Sequence, residues 1–255
     1  MNEEIGRMIK LFLLWWALLL VPIIIGTVVS LIVPNRPDYD IMGWSMMFGS
    51  LLIAIVFFGK CYVKLTLGNI DKRQVWPAAC ISVAIAAAFL LALMSFYKLI
   101  DFDSLIPTDT ELMAERARQH YQGIAGILYG CIVGPLVEEI GFRGVLLGGL
   151  LKTRCRPWLA ILISAFLFGL IHGPVGFIGA MPFGIMLGWL YWRTSTIIPG
   201  IIIHIVNNTL SFIDLSEQSN AVCLFVLVGS LTMLASGLLW FGRKVKKIQK
   251  HETTS

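Results

Sequence analysis

Residues 11–33 read LFLLWWALLLVPIIIGTVVSLIV and contain no charged side chain. A helix needs about 20 mostly apolar residues to cross the hydrocarbon core of a bilayer, so this run is long enough to span it. The run follows MNEEIGRMIK and has no small-residue cleavage site after a short apolar core, which is typical of an uncleaved membrane helix rather than a signal peptide. We therefore expect a transmembrane helix at this position.

The same apolar pattern recurs along the rest of the chain. Seven further runs are predicted to be membrane helices, at residues 41–62, 76–96, 121–151, 157–172, 177–192, 196–213 and 221–242. The run at 121–151 is too long for one perpendicular span, so we expect it to be tilted, bent near Gly134 and Pro135, or partly cytoplasmic. The fold class is therefore predicted to be all-α, a polytopic membrane helix bundle of about eight transmembrane helices. Without an internal repeat, residues 1–255 are expected to form a single membrane domain.

Composition and charge support this interpretation. The chain of 255 residues is 57% hydrophobic and only 14% charged, whereas average soluble domains are roughly 25% charged. The net charge of +5 does not indicate nucleic-acid binding, because the basic residues separate apolar runs and do not cluster on a soluble domain. With eight spans, most Lys and Arg residues fall on one side if both termini are cytoplasmic, as the positive-inside rule requires. The acidic loop at residues 97–120 then lies on the opposite side, and residues 108–118 form either a short surface helix or a plain connector.

A few ionisable residues remain inside the predicted helices, and each is a candidate functional residue because charge is costly in lipid. They are Glu138, Glu139 and Arg143 in the fourth segment, His172 at the end of the fifth, and His204 in the seventh, where Asn207 and Asn208 are polar neighbours. Polar residues from three helices are tolerated only if they converge on one another or on a wet cavity. We therefore expect them to form one site.

Glu138, Glu139 and Arg143 differ in the partners that helical spacing gives them. Glu139 and Arg143 stand at i and i+4, where side chains on a helix meet, so they are predicted to neutralise each other. Glu138 is rotated by about 100° from Glu139, so it is expected to have no obvious cation beside it on the helix. This makes Glu138 the better candidate for a general base. The alternative is a structural ion network that only holds two helices together.

His172, His204 and Asn208 could each have a purely structural role when considered alone. His172 precedes a Gly-Pro turn and could be a structural residue at a helix end. His204 and Asn208 share one helix face at i and i+4 and could form an interhelical hydrogen-bond contact. Together with Glu138, however, they supply a base, an orienting group and neutral donors for an oxyanion, which are the groups that a hydrolase needs.

Three motifs in this order resemble the CPBP family, which comprises CAAX proteases and bacteriocin-processing enzymes and is also called the Abi family. The motifs EExxxR, FxxxH and HxxxN are here Glu138-Glu139 to Arg143, Phe168 to His172, and His204 to Asn208. The resemblance covers residues 121–213, which we interpret as the catalytic core. It implies an intramembrane endopeptidase in which Glu138 and His172 activate a water molecule. His204 and Asn208 would form the oxyanion hole, and Glu139 and Arg143 would support the site.

The resemblance also implies the setting of the reaction. The substrate would be a membrane-anchored protein or peptide, cleaved within the lipid bilayer. The short loops are similar to those of prokaryotic members, which are associated with bacteriocin immunity and peptide maturation, so we expect a bacterial inner (cell) membrane. Nothing in the sequence indicates that a prenyl group is recognised.

Two questions stay open at this level. Glu138, His172 and His204 could hold zinc with an open position for water, which would make the protein a metalloendopeptidase. Because the chain lacks an HExxH pair and Asn is a poor zinc ligand, we expect the glutamate mechanism without a cofactor. Other classes of function are a transporter or proton channel that uses Glu138 and the histidines as a relay, and a non-catalytic immunity protein or scaffold that retains the motifs by descent.

Overall fold

The computed structural model describes residues 2–32, 38–60, 68, 70–100, 123–211 and 218–252. All regular structure in these ranges is helical, and no strand occurs in them. The prediction of an all-α fold is therefore confirmed. The surface helix predicted at residues 108–118 lies outside the described residues.

Eight long helical stretches are present in the described part of the chain, and each coincides with one predicted segment. They are α1 (Asn2–Ile32), α2 (Asp38–Lys60), α3 (Val75–Leu99), α4 (Gly123–Leu151), α5 (Pro157–Leu170), α6 (Gly173–Thr194), α7 (Ile198–Leu210) and α8 (Asn220–Glu252). A short 3₁₀ turn, Lys72–Gln74, precedes α3. One boundary was wrong in a way that affects the site: α3 continues to Leu99 and so includes Tyr97, which the sequence analysis places in the following loop.

The helices fit a polytopic membrane protein. Four stretches are long and apolar enough to cross a membrane, Ile5–Ile32, Lys72–Leu99, Gly123–Leu151 and Asn220–Lys244, and shorter apolar helices lie at Ile41–Phe57, Pro157–Leu170 and Ile198–Leu210. Large apolar side chains are exposed on α1 and α8, for example Leu31 and Phe225, each 80% exposed. Lipid is a suitable solvent for such surfaces. The count of eight complete crossings and the cytoplasmic position of both termini stay predictions.

The chain divides into two compact units. The first contains Met1–Val63 and Pro107–Arg156, and therefore α1, α2 and α4. The second contains Lys64–Ile106 and Pro157–Ser255, and therefore α3 and α5 to α8. That residues 1–255 form one membrane domain, with residues 121–213 as its catalytic core, stays a prediction.

In the first unit, α1 packs closely against α4 through aromatic side chains. Trp15 is 1% exposed, and its ring lies 5.5 Å from that of Phe142, with Phe12 and Trp16 adjacent. A Cβ atom at Gly141 would lie 2.3 Å from Cε2 of Trp15, so only glycine permits this approach. The contact holds α1 against the part of α4 that carries the first motif.

Helix α4 is not a uniform α-helix. It contains π-helical turns at Tyr129–Val133 and Ile140–Leu147. The first of these directly precedes Pro135, which cannot donate a backbone hydrogen bond. There the N–H of Gly134 donates to the carbonyl of Tyr129, five residues back. The wider turn therefore lets the helix continue through Pro135.

In the second unit, α5 and α6 are joined by a tight turn and α3 packs against α6, α7 and α8. Gly173, at the turn, has a φ of +74°, which favours glycine. At Gly179 an added Cβ would lie 2.8 Å from Cδ2 of Leu93, so glycine allows α6 to approach α3. These contacts bring parts of α3, α5, α6 and α7 around one small space.

Candidate active site

Glu139 and Arg143 form a fully buried ion pair in the first unit. Arg143 Nη1 donates to Glu139 Oε1 at 2.8 Å, and the two side chains are 1% and 0% exposed. The contact that the i, i+4 spacing predicts is therefore present. A single buried charge at this position would be very costly, so each residue compensates the other. Arg143 lies inside the second π-helical turn of α4.

Glu138 differs from Glu139 in its surroundings. Its side chain is partly exposed, whereas its neighbour Glu139 is fully buried. The positive charge of Arg143 interacts with both carboxylates. Partial exposure leaves the Glu138 carboxylate accessible for proton transfer, while Glu139 is committed to the ion pair. The two carboxylates therefore differ in burial, but the expectation that Glu138 has no cation near it is wrong, because Arg143 interacts with it as well. The role of Glu138 as the general base stays a prediction.

The second unit contains a cavity of about 260 Å³ that brings together three of the predicted site residues, His172, His204 and Asn208. Its lining residues are Phe89, Leu93 and Tyr97 from α3, Phe168 from α5, His172 at the turn, Gly176, Gly179, Ala180 and Phe183 from α6, and His204, Asn207 and Asn208 from α7. The cavity therefore combines an aromatic wall with neutral polar groups. Glu138, Glu139 and Arg143 belong to the first unit.

One hydrogen bond fixes the chemical form of His172. Its Nδ1 lies 2.8 Å from the carbonyl oxygen of Phe168, one helical turn earlier. A carbonyl oxygen can only accept, so Nδ1 carries the proton in this contact. In the neutral ring Nε2 is then the basic nitrogen. His172 is an exposed residue, so a proton from water or substrate can reach this atom.

Phe168 connects the two histidines. Its ring centroid lies 4.6 Å from the ring of His172 and 5.8 Å from the ring of His204. His204 is 2% exposed, and Phe183 also packs against it, with 5.2 Å between the ring centroids. The phenylalanine of the FxxxH motif thus has a structural explanation, because its ring packs against both His172 and His204, whereas the carbonyl that bonds His172 is a backbone group that any residue would provide.

Helix α3 contributes residues that the sequence analysis did not assign to the site. Phe89, Leu93 and Tyr97 all line the cavity, and the Tyr97 hydroxyl hydrogen-bonds to the backbone of Gly179. They follow one another at i, i+4 and i+8, a spacing that places them on one helix face. This spacing was visible in the sequence, but it did not indicate which neighbouring helix the face would meet.

The residues named for a zinc site are divided between the units. Within either unit, no three His, Cys, Asp or Glu side chains among the described residues are close enough to bind a metal ion. Catalytic zinc usually has three protein ligands. Among the described residues, the cavity of the second unit is lined by two imidazoles, His172 and His204, one protein ligand fewer than such a site uses. Metal dependence stays a question for experiment.

Comparison with known proteins supports the resemblance given by the three motifs. Residues 120–210 match the family model described as type II CAAX prenyl endopeptidase Rce1-like. Over 86 residues the chain is 36% identical to the putative membrane peptidase YdiL of Bacillus subtilis (strain 168), a stretch that covers 32% of this chain and 34% of that protein. No solved structure matches. The likeness to CAAX-type intramembrane proteases is therefore confirmed over residues 120–210, which contain all three motifs. The chain matches about a third of the length of the curated relative.

Proposed function

We propose that this chain is an intramembrane endopeptidase that hydrolyses a peptide bond of a membrane-associated protein or peptide. The observation that carries the proposal is the cavity that gathers His172, His204 and Asn208 within residues that match the endopeptidase family model. Neutral polar groups around a partly apolar cavity suit a peptide, which has donors and acceptors but no charge of its own along the backbone.

The proposed reaction begins with the activation of water. Glu138 takes one proton from the water, while Nε2 of His172, the basic nitrogen when Nδ1 donates to Phe168, accepts a hydrogen bond from the other. The water oxygen forms a bond to the carbonyl carbon, and the carbonyl oxygen becomes an oxyanion. Protonated Glu138 then gives its proton to the leaving nitrogen as the C–N bond breaks. The products are a carboxylic acid and an amine.

His204 and Asn208 are proposed to stabilise the oxyanion. Asn208 offers a neutral N–H donor, and His204 is held between Phe168 and Phe183 so that its ring has a fixed orientation. Donors that are already in place need no rearrangement as charge develops, and removing one such donor from an enzyme costs on the order of 10²–10³ in kcat. Glu139 and Arg143 support Glu138 from the first unit's buried interior.

The orientation in the membrane is proposed from the positions of the basic residues, and the type of membrane from the similarity to a bacterial protein. The segment that follows the apolar part of α8 carries Arg243, Lys244, Lys246, Lys247 and Lys250, which the positive-inside rule places in the cytoplasm. The curated relative comes from a bacterium, which supports a bacterial cell membrane. The substrate is proposed to be a membrane-anchored peptide, and prenylation is a property to be tested.

The experiment uses the full chain in lipid nanodiscs with membrane-anchored fluorogenic peptides, some of them prenylated. Glu138→Gln and His172→Ala should each lower kcat by on the order of 10²–10⁴, the range for general acid–base groups. Glu3→Gln, a change at an exposed carboxylate of α1, is the matched control and should retain full activity. Undiminished cleavage by Glu138→Gln would refute the proposed base. Loss of cleavage on chelation, with recovery on adding zinc, would instead support a metalloendopeptidase.

A further inference from the structure

The end of the apolar part of α8 carries a basic and aromatic cluster that takes no part in the proposed reaction. A cavity of about 350 Å³ lies there in the second unit, lined among the described residues by Ser236, Leu239, Trp240, Arg243 and Lys244. Ser236, Trp240 and Arg243 are three or four positions apart and so share one face of the helix. Arg243 is exposed and Lys244 is half-buried. The cavity therefore joins two positive charges to an indole and an aliphatic side chain.

The positive charges of this cluster are not compensated by carboxylates. Neither Arg243 nor Lys244 forms an ion pair with an acidic side chain of the described residues. The same holds for Arg193, a cation of α6 that contacts α8 beside Arg243. Like charges that lie close together repel one another. An anion bound at Arg243 and Lys244 would remove this repulsion, so the charge of the cavity favours an anionic ligand.

Helix α6 holds in place the part of α8 that carries Arg243. Arg193 Nη2 donates to the backbone carbonyl of Gly242 at 2.9 Å. The guanidinium of Arg193 also lies 5.9 Å from the ring centroid of Trp189 and 5.8 Å from that of Trp192. The backbone next to Arg243 is therefore fixed before any ligand arrives. A ligand that binds to a preorganised site loses less affinity to the ordering of that site.

We propose that this cavity binds the headgroup phosphate of an anionic phospholipid. Arg243 offers a planar fork of donors that matches a phosphate group, and Lys244 adds a second positive charge. Leu239 lies one turn before Arg243 and is 59% exposed, so an acyl chain of the same lipid has an apolar surface to follow. Trp240 is typical of the membrane interface, where headgroups lie. The proposed orientation of the chain places this end of α8 at the cytoplasmic leaflet, which is the anionic one.

Lipid titrations of the full chain in detergent micelles, followed by native mass spectrometry, test the proposal. Phosphatidylglycerol, which is anionic, should bind about 25-fold more tightly than phosphatidylcholine, which has no net charge, because each basic residue contributes about fivefold. Arg243→Gln and Lys244→Gln should each weaken the binding of phosphatidylglycerol by about fivefold. The double variant should lose most of the preference for phosphatidylglycerol and bind phosphatidylcholine as the wild type does. Inorganic phosphate at the same concentration should not compete, since it lacks an acyl chain.

The matched control is Lys72→Gln/Arg73→Gln, which removes the same charge from the exposed turn before α3, outside the cavity lining. It should keep the affinity of the wild type for phosphatidylglycerol. Equal losses in the two double variants would overturn the proposal, because net charge alone would then explain the binding. Equal affinities of the wild type for the two lipids would overturn it as well, and competition by inorganic phosphate would refute a lipid as the ligand. Both double variants should unfold at the midpoint of the wild type, and none of these measurements depends on proteolysis.

Discussion

In the first unit Glu139 and Arg143 are buried and oppositely charged, whereas in the second unit the polar residues are imidazoles and an amide that line a cavity. Glu139 and Arg143 compensate each other at 2.8 Å with almost no exposure. His172, His204 and Asn208 instead border a space of about 260 Å³ together with aromatic side chains. In the proposed function, the buried pair of the first unit stabilises the surroundings of Glu138, and the polar residues of the second unit contact the substrate. Substitutions of the buried residues in the first unit should therefore mainly lower the free energy of unfolding. Substitutions in the cavity of the second unit should mainly lower the activity.

The largest effect on stability is expected for Arg143→Leu. The substitution leaves Glu139 buried without its compensating charge, and breaking a buried pair in this way costs about 3–5 kcal/mol. The free energy of unfolding, measured in detergent micelles, checks this. The double variant Glu139→Leu/Arg143→Leu should recover a large part of the loss, because no uncompensated charge remains. His172→Ala in the second unit should change the unfolding free energy by no more than about 1 kcal/mol, since the residue is exposed. Similar losses for Arg143→Leu and His172→Ala would contradict the comparison.

A smaller effect is expected for Gly141→Ala, again in the first unit. The added methyl group would lie 2.3 Å from the ring of Trp15, which is itself buried and cannot easily move. Overpacking of this kind costs about 1–3 kcal/mol. Gly229→Ala on α8 is the matched control, because a Cβ there has no atom within 4 Å, and it should not destabilise the protein. Equal unfolding midpoints for the two variants would show that α1 does not constrain α4 at this point.

The smallest effect is expected for Tyr97→Phe in the second unit. The change removes the hydroxyl that bonds to the backbone of Gly179 and keeps the ring in the cavity wall. Loss of one such hydrogen bond costs about 0.5–1.5 kcal/mol. We expect kcat/KM to fall by less than about tenfold, measured with the nanodisc assay. Tyr191→Phe, on α6 outside the cavity lining, should leave kcat/KM unchanged. If both variants behave alike, Tyr97 does not contribute to the cavity's function.

Local patterns in the sequence are sufficient to predict part of this structure. Apolar run length located all eight helical stretches, and the i, i+4 spacing identified the pairing of Glu139 with Arg143. The cost of polar groups in lipid predicts one site for all the buried polar residues; His172, His204 and Asn208 do line one cavity, whereas the inclusion of Glu138, Glu139 and Arg143 stays a prediction. Each of these inferences depends either on the geometry of a single helix or on a general property of the bilayer, its thickness or its low polarity.

Other features depend on contacts between helices and were not visible in the sequence. The end of α3 looked polar, so Tyr97 was assigned to a loop, although its face packs into the cavity. The dual contact of Phe168 with His172 and His204 requires the packing of α5 against α7. The π-helical turns of α4 have no local sequence signature apart from Pro135. The joint action of Glu138 with the cavity residues stays a prediction, and the Glu138→Gln assay tests it.

The π-helical turn at Ile140–Leu147 has a consequence for how sequences of this kind can be aligned. A π turn holds more residues per turn than an α turn, so removing one residue there can leave a continuous helix. In such a shortened chain, the residues before the deletion would keep their faces relative to Gly148–Leu151, because the wide turn becomes an ordinary α turn. Glu138 and Glu139 would then keep their surroundings but lie one residue closer to Gly148 along the sequence. An alignment without a single-residue gap at this position therefore matches Glu138 to the wrong one of two adjacent glutamates.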